Sequence, residues 1–248
     1  MDRLIYTSLT AMRGAMARQQ ATANNLANAS TPGFRAEIAE AQSLWLDGPT
    51  LRDRALASEE VVNADMKAGA LTATGRDLDV SLSGDTLLAV QSQDGEEAYT
   101  RRGDLQLSAS GLLTTGEGRP VLGQSGAPVA IPPADSVTIG KDGRVFFVPA
   151  GGDATKPQEL DRLKISSPLG TPIAKGLDGL FRVKGGGVLA PDPDAQVTTG
   201  YLEQSNVSAT QALVDMIDAG RSWDMQLKLI TSARDLDSSS AELMRLPD

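Results

Sequence analysis

The 248-residue chain contains neither cysteine nor histidine. Without cysteine there is no disulfide framework, no thiolate nucleophile and no sulfur ligand for zinc. Without histidine the chain lacks the commonest general base and the commonest metal ligand. An enzyme built from this sequence would therefore rely on carboxylates, hydroxyls or lysine.

Long apolar runs and basic clusters are also missing. No run approaches the roughly eighteen apolar residues that a membrane-spanning helix needs. The N-terminus has no basic region followed by an apolar core and a small-residue cleavage site. The net charge is −9, and the largest basic cluster is the pair Arg101 and Arg102. We therefore expect no membrane span, no cleaved signal peptide and no nucleic-acid binding.

The apolar residues that are present suffice for a core. They make up 40% of the chain, with only 4% aromatic residues, so alanine, leucine and valine supply most of the apolar surface. A chain of this length forms one large domain or two small ones.

Near the N-terminus, the mostly apolar residues of one stripe are spaced alternately four and three apart, which is typical of a coiled-coil seam. These residues are Ile5, Leu9, Met12, Met16, Gln19, Ala23 and Leu26. The helix is predicted to stop before Pro32 and Gly33, because proline restricts the residue before it and Pro-Gly suits the centre of a type II turn.

The same spacing occurs near the C-terminus, in the residues Ala209, Leu213, Met216, Gly220, Trp223, Leu227 and Ile230. A single amphipathic helix needs a partner for its apolar stripe. We therefore expect the two terminal helices to pair with each other as a coiled coil. The first 30 residues are net positive and residues 201–248 are net negative, which would favour one register and leave most of the stability to the seam.

The middle of the chain has the pattern of antiparallel β structure. Short β-type runs flank Asp94-Gly95, Asp142-Gly143 and the turn at residues 108–111, and Asp-Gly is a strong hairpin signal. The predicted fold class is α+β, with four regions. These are an N-terminal helix (1–34), an extended linker or β segment (35–74), an inserted all-β domain (75–200) and a C-terminal helix (201–248).

Two pairs of carboxylates are the candidates for catalysis. Asp77 with Asp79, or Glu96 with Glu97, would supply the acid and base of a glycoside hydrolase. Alternate acids beside a turn are more typical of a solvated surface. Asp142 in Lys-Asp-Gly resembles a fragment of a calcium loop, but the remaining acids of that motif are missing. The sequence therefore predicts no enzymatic activity and no bound metal.

Residues 23–34, which read ANNLANASTPGF, closely resemble the N-terminal signature of flagellar rod and hook proteins. Residues 77–80 and 99–104 are similar to the β domain of that family, and residues 200–207 are similar to its C-terminal motif. The residues that carry the terminal motifs are Asn24, Asn25, Leu26, Asn28, Pro32, Gly33, Phe34, Gly200, Leu202, Ser205, Asn206 and Val207.

Within this family the opening residues 1–7 and the ending at 200–207 are most similar to the proximal-rod branch. After Gly84-Asp85 the wider family has Gly-Phe-Phe, whereas this chain continues with residues 86–90, TLLAV. That difference fits the proximal-rod branch better, and the distal-rod branch stays as an alternative.

The resemblance implies a structural subunit of the flagellar basal-body rod, without a cofactor. It implies export through the flagellar type III apparatus and polymerisation in the periplasm into part of the drive shaft. The implied partners are copies of the same chain, other rod proteins, the export apparatus and the bushing-ring proteins. The rival interpretation is an extracellular β domain on a coiled-coil stalk that binds carbohydrate or acts on peptidoglycan.

In the rod interpretation, apolar residues of both helices pack subunits together. We expect this role for Ile5, Leu9, Met12, Met16, Leu26, Leu213, Met216, Trp223, Leu227 and Ile230. Asn24, Asn25 and Asn28 would make polar contacts between subunits or cap the helix end, and the alternative is a solvated helix end of low helix propensity. Asn24 and Asn28 are one helical turn apart and share a face.

Overall fold

The computed structural model describes residues 2–45, 55–153 and 155–244, and the side chains of residues 9–39, 63–153, 155–236, 238 and 239. The chain divides into two compact units. The helix unit contains Met1–Ala27, Glu37–Asp65 and Ser208–Asp248, and the β unit contains Asn28–Ala36 and Met66–Val207.

Two long helices and one hairpin form the helix unit. Helix α1 spans Asp2–Ala27 and helix α2 spans Ala209–Met244. The Oγ of Ser208 accepts a hydrogen bond from the backbone N–H of Gln211 at 3.4 Å, and its carbonyl accepts one from Ala212, so Ser208 caps α2. Both predicted terminal helices are therefore present.

Between the helices in this unit lie strands β1 (Glu37–Trp45) and β2 (Ala55–Ala64). They pair antiparallel from Glu37 opposite Ala64 to Trp45 opposite Ala55, with one register shift after Ile38. Both strands contact α1, and α1 also contacts α2. An isolated two-stranded hairpin is marginal in water, so this packing on α1 gives it support.

The predicted coiled coil between the helices is wrong. Of its seam residues, Leu9, Met16, Leu213 and Leu227 are exposed, while Met12, Leu26, Met216, Trp223 and Ile230 are only half-buried. The side chain of Ile5 lies outside the described residues.

Small side chains are buried in place of that seam, namely Ala15 and Ala21 on α1 and Ala212 on α2. Helix α1 lies on a β hairpin as well as on α2, and small residues allow that close approach. Of the stripe that the spacing identifies, Leu9, Met16, Leu213 and Leu227 therefore face away from the partners within the chain.

The β unit contains fourteen short strands among the described residues. They are β3 (Leu71–Ala73), β4 (Val80–Leu82), β5 (Leu87–Gln91), β6 (Glu97–Thr100), β7 (Leu105–Leu107), β8 (Leu113–Thr115), β9 (Ala134–Ile139), β10 (Arg144–Pro149), β11 (Gln158–Arg162), β12 (Ile165–Ser166), β13 (Ile173–Lys175), β14 (Phe181–Val183), β15 (Val197–Thr199) and β16 (Tyr201–Glu203).

These strands pair antiparallel in one five-stranded sheet of order β12-β5-β6-β14-β13, one three-stranded sheet of order β11-β10-β9, and the pairs β15-β4, β16-β3 and β7-β8. The three predicted hairpins are confirmed as β5-β6, β9-β10 and β7-β8. One apolar core, built around Leu88, Val90, Val121 and Val145, joins the larger sheets.

Strand β4 differs from its expected alternation. The pattern of residues 78–82 predicts apolar side chains that face a core on one side only. Asp79 and Ser81 are buried as well. The strand is therefore covered on both faces, and a period-two pattern alone does not show what covers the polar face.

Among the described residues, no helix has the length and apolarity of a membrane span.

Candidate assembly junction of the beta unit

The chain enters and leaves the β unit through two neighbouring segments, which we call the strap (residues 28–36) and the return segment (residues 200–207). The strap begins just after α1, where the backbone N–H and the Oγ1 of Thr31 both donate to Asn28. The N–H of Phe34 then donates to the carbonyl of Thr31 at 3.2 Å, and Gly33 has φ of 68°. The predicted type II turn at Pro32-Gly33 is confirmed.

Gly33 is required here for a second reason besides its positive φ. A Cβ at this position would overlap the backbone carbonyl of Arg101. Its N–H donates to the carbonyl of Glu203 at 2.7 Å. The strap therefore lies directly on the backbone of residues 101–102 and against the return segment.

A buried ion triad lies under the strap. The carboxylate of Glu203 accepts hydrogen bonds from the guanidinium groups of Arg35, at 2.6 Å, and Arg101. The side chains of Arg35, Arg101 and Glu203 are 1%, 2% and 2% exposed. The same carboxylate accepts the backbone N–H of Gly69 at 2.9 Å. One side chain thus joins segments that are distant in the sequence.

Burial and neighbouring charge shift the pKa values of Glu203 and Arg101 in opposite directions. Burial alone would raise the pKa of Glu203, but the charge of Arg101 and hydrogen bonds from Arg101 and Arg35 outweigh it and hold the pKa below its ordinary value of 4.5. Burial lowers the pKa of Arg101, although Glu203 opposes that shift. Glu203 is therefore a carboxylate at neutral pH and holds the two arginines together.

Asn206 fixes the end of the strap. Its Oδ1 accepts the N–H of Ala36 at 2.7 Å, its Nδ2 donates to the carbonyl of Lys67 at 3.0 Å, and its own N–H donates to the carbonyl of Phe34 at 3.3 Å. From β13, Lys175 places its Nζ 3.6 Å from the centre of the Phe34 ring and donates to the carbonyl of Arg35 at 3.0 Å. The motif residues Gly33, Phe34 and Asn206 therefore have structural roles within one chain.

The other asparagines of the N-terminal motif lie at the end of α1 and just after it. Asn25 accepts the backbone N–H of Glu37 at 2.7 Å and donates to its carbonyl at 2.9 Å, so the amide pairs with the start of β1 as a strand would. Asn24 donates to the Glu37 carboxylate at 2.6 Å. These contacts tie the last turn of α1 to β1, and Asn28 receives the turn at Thr31.

The remaining motif residues lie along the return segment. Gly200 has φ of 76° and its carbonyl accepts the N–H groups of Thr74 and Gly75. Leu202 is buried, and Ser205 accepts the N–H of Val207 at 3.2 Å. Leu26, at the end of α1, is half-buried. The motif residues therefore form turns and contacts within the fold.

The members of each candidate pair of acids lie in different environments. Asp77 is exposed, whereas Asp79 is buried. Glu96 is exposed, whereas Glu97 accepts hydrogen bonds from Tyr99 at 2.6 Å and Lys164 at 2.8 Å. Asp142 pairs with Arg144 at 2.9 Å. Within the described residues no group of three or more acids is arranged to hold a metal ion.

The ion triad is not predicted by the sequence. Arg101 and Glu203 lie in family motifs, and Arg35 directly follows one, but no local pattern shows that they meet. The available sequence signal for the triad is a charged residue directly beside an apolar motif residue, Glu203 after Leu202. Fully buried charges are rare unless they are paired.

Three family models match the chain. Residues 5–35 match the flagella basal body rod protein model, residues 81–147 match the D1 domain of the flagellar hook protein FlgE/F/G, and residues 198–243 match the C-terminal model of the flagellar basal body rod FlgEFG proteins. The strap falls almost wholly in the first match, and the return segment falls within the third.

Individual relatives match over almost the whole length. The flagellar basal-body rod protein FlgF of Escherichia coli K12 is 39% identical over 252 residues, covering 99% of this chain and 100% of the relative. FlgF of Salmonella typhimurium LT2 is 38% identical with the same coverage. The flagellar basal-body rod protein FlgG of Bacillus subtilis 168 is 28% identical over 99% of this chain and 100% of the relative. The chain therefore belongs to the flagellar basal-body rod proteins, as a structural rod protein close to FlgF.

Proposed function

We propose that this rod protein is a subunit of the proximal rod and that it polymerises through its two terminal helices. The supporting observation is the exposed apolar surface of α2. Its large apolar side chains that face solvent are 41% to 66% exposed. They are Leu213, Val214, Ile217, Met225, Leu227, Leu229 and Leu236.

These residues are spaced for contact with another helix. Leu213 and Ile217 are one turn apart, as are Met225 and Leu229, so the two members of each pair lie on one face of the helix. Helix α1 adds Leu9 and Met16, which are 42% and 56% exposed. An apolar stripe left in water is unfavourable, and packing it against neighbouring subunits would bury it.

The partners in this proposal are copies of the chain and other rod proteins. Identical contacts that do not close on themselves produce a helical filament, so a small subunit can build a long shaft. The helices would form the core that transmits torque. We place the assembled subunit in the periplasm after export by the flagellar type III apparatus, with the bushing-ring proteins around it.

The helix contacts can be tested by charge insertion. Leu9→Asp and Leu227→Asp each place a carboxylate in the proposed interface, and we expect loss of motility and of recoverable rods. Leu177→Asp is the matched control, because it makes the same substitution at a fully exposed position of the β unit, outside the proposed interface. Normal assembly of both Leu9→Asp and Leu227→Asp, with folded monomers, would overturn the proposal.

A further inference from the structure

The two arginines of the ion triad are held very differently. The guanidinium of Arg101 donates to the carbonyls of Leu82, Gly84 and Thr86 as well as to Glu203. All of these partners belong to the β unit outside the strap. Arg101 and Glu203 are thus fixed together independently of residues 28–36.

Arg35, which is part of the strap, has fewer hydrogen-bond partners than Arg101. Its guanidinium makes one hydrogen bond among the described residues, from Nη2 to Glu203. Its Nε and Nη1 are buried and have no hydrogen-bond partner in the same part of the chain. A buried donor without a partner is unfavourable because it has lost its hydration.

Release of the strap would therefore have opposing effects. Arg35 would lose one ion pair, but its Nε and Nη1 would regain water. Glu203 would keep Arg101 and the N–H of Gly69, so no carboxylate would be left unpaired. The buried triad carries two positive charges and one negative charge, and departure of Arg35 removes the excess.

The other bonds of the strap are few. Its backbone is joined to the return segment through the N–H of Gly33, the carbonyl of Phe34 and the N–H of Ala36. Lys175 of β13 adds a hydrogen bond to the carbonyl of Arg35 and a contact with the Phe34 ring. None of the strap residues belongs to a strand. A segment held by a few bonds at the edge of a unit can open without unfolding the rest.

We propose that the strap is a latch with a docked and a released state, and that Glu203 is the group on which it closes. The released state leaves the sheets of the β unit and the Arg101–Glu203 pair intact. The latch changes only the path of the chain between α1 and β1.

Amide hydrogen exchange in the full-length monomer, followed residue by residue, distinguishes local opening from global unfolding. The strap probes are the N–H groups of Gly33 and Ala36, and the core probe is the N–H of Ala89, which donates to Lys164 across the sheet. We expect the strap amides to exchange faster than Ala89, with a rate that is nearly independent of low urea concentrations. The rate at Ala89 should rise steeply with urea.

Two variants make the test decisive. Val90→Ala weakens the core and should accelerate exchange at Ala89 by about tenfold or more, while the strap amides keep their wild-type rate. Arg35→Gln removes the ion pair of the strap and should accelerate exchange at Gly33 and Ala36 by about tenfold. Arg182→Gln, at a partly exposed ion pair with Asp178, serves as the control that changes neither rate.

Equal acceleration of strap and core amides in Val90→Ala would show that the strap opens only when the whole unit unfolds, and the latch would be rejected. If Val90→Ala does not fold, Ile139→Val removes a single methyl group from the same core and is read in the same way. A strap that shares the urea dependence of Ala89 in the wild-type chain would reject the latch as well.

Discussion

Arg35 and Glu203 lie 168 positions apart in the chain, yet their side chains form a buried ion pair at 2.6 Å. The pair joins the strap that follows α1 to the return segment that precedes α2. Arg101 completes the group from the middle of the β unit. The triad therefore joins residues of the β unit that are far apart in the sequence.

Replacement of Glu203 is expected to be strongly destabilising. Glu203→Gln leaves two buried guanidinium groups without a counter-charge, and loss of one partner of a buried pair costs about 3–5 kcal/mol of unfolding free energy. Urea unfolding measures this loss. The matched Arg182→Gln variant breaks a partly exposed pair and should cost less than about 1 kcal/mol. Similar losses in the two variants would contradict the importance of the triad.

The same group predicts a pH dependence. The pKa of Glu203 is lowered in the folded chain, since Arg101 and Arg35 outweigh the effect of burial. Its contribution to stability is therefore complete above its ordinary pKa of 4.5 and declines as the pH falls through the lower folded value.

This contribution is isolated by comparing wild type with Glu203→Gln. The difference in unfolding free energy between them should be constant from neutral pH to about pH 5 and shrink in more acidic solution. The groups that face the carboxylate are Arg35 and Arg101, and the charge of Asp85 also interacts with Arg101. Asp85→Asn removes that neighbouring charge and is therefore the control. A difference that grows on acidification would disprove this assignment.

Gly33 offers a test of the strap's close approach. Gly33→Ala combines an unfavourable positive φ with overlap of the Arg101 backbone. Gly75→Ala is the matched control, because Gly75 has φ of 71° and a methyl group added there would meet no atom within 4 Å. We expect about 1 kcal/mol of destabilisation in the control and about 1–3 kcal/mol more in Gly33→Ala. Thermal or urea unfolding that ranks the two variants equally would contradict the contact.

Asn25 tests the join between α1 and β1. Asn25→Ala leaves both backbone groups of Glu37 without their amide partner, at a cost of about 1–3 kcal/mol. Asn25→Asp retains the acceptor for the Glu37 N–H but loses the donor, so its effect should be smaller. Gln20→Ala, at an exposed position of the same helix, should be nearly neutral. The Glu37 amide should lose its protection from exchange in Asn25→Ala and keep it in Asn25→Asp and Gln20→Ala. Full protection of this amide in Asn25→Ala would contradict the contact.

Local signals predict much of the fold. The terminal helices, the Pro32-Gly33 turn and the Asp-Gly hairpins all follow from residues close together in the sequence. The predicted coiled coil is wrong because four-three spacing does not state whether a stripe faces the same chain or another one. Here Ala15 and Ala21 are buried, while Leu9 and Met16 are exposed.

The junction is beyond local prediction for a related reason. Resemblance identifies its motif residues but not their contacts, since Glu203 meets Gly69, Arg35 and Arg101 only after the chain has folded. Asn206 belongs to a family signature, and only the structure shows that it bridges Ala36 and Lys67. Long-range pairing of buried charges leaves no periodic pattern in a sequence.

Burial of the exposed face of α2 between rod subunits can be measured by labelling. The chain has no cysteine, so Leu227→Cys introduces a single thiol, and Leu177→Cys places a control thiol on an exposed turn of the β unit. Maleimide should label both variants in the purified monomer. In basal bodies isolated from motile cells, we predict that Leu227→Cys is protected at least about tenfold relative to the control, as burial in a packed interface requires. Equal labelling of Leu227→Cys in monomers and basal bodies would show that this face of α2 is not buried in the rod.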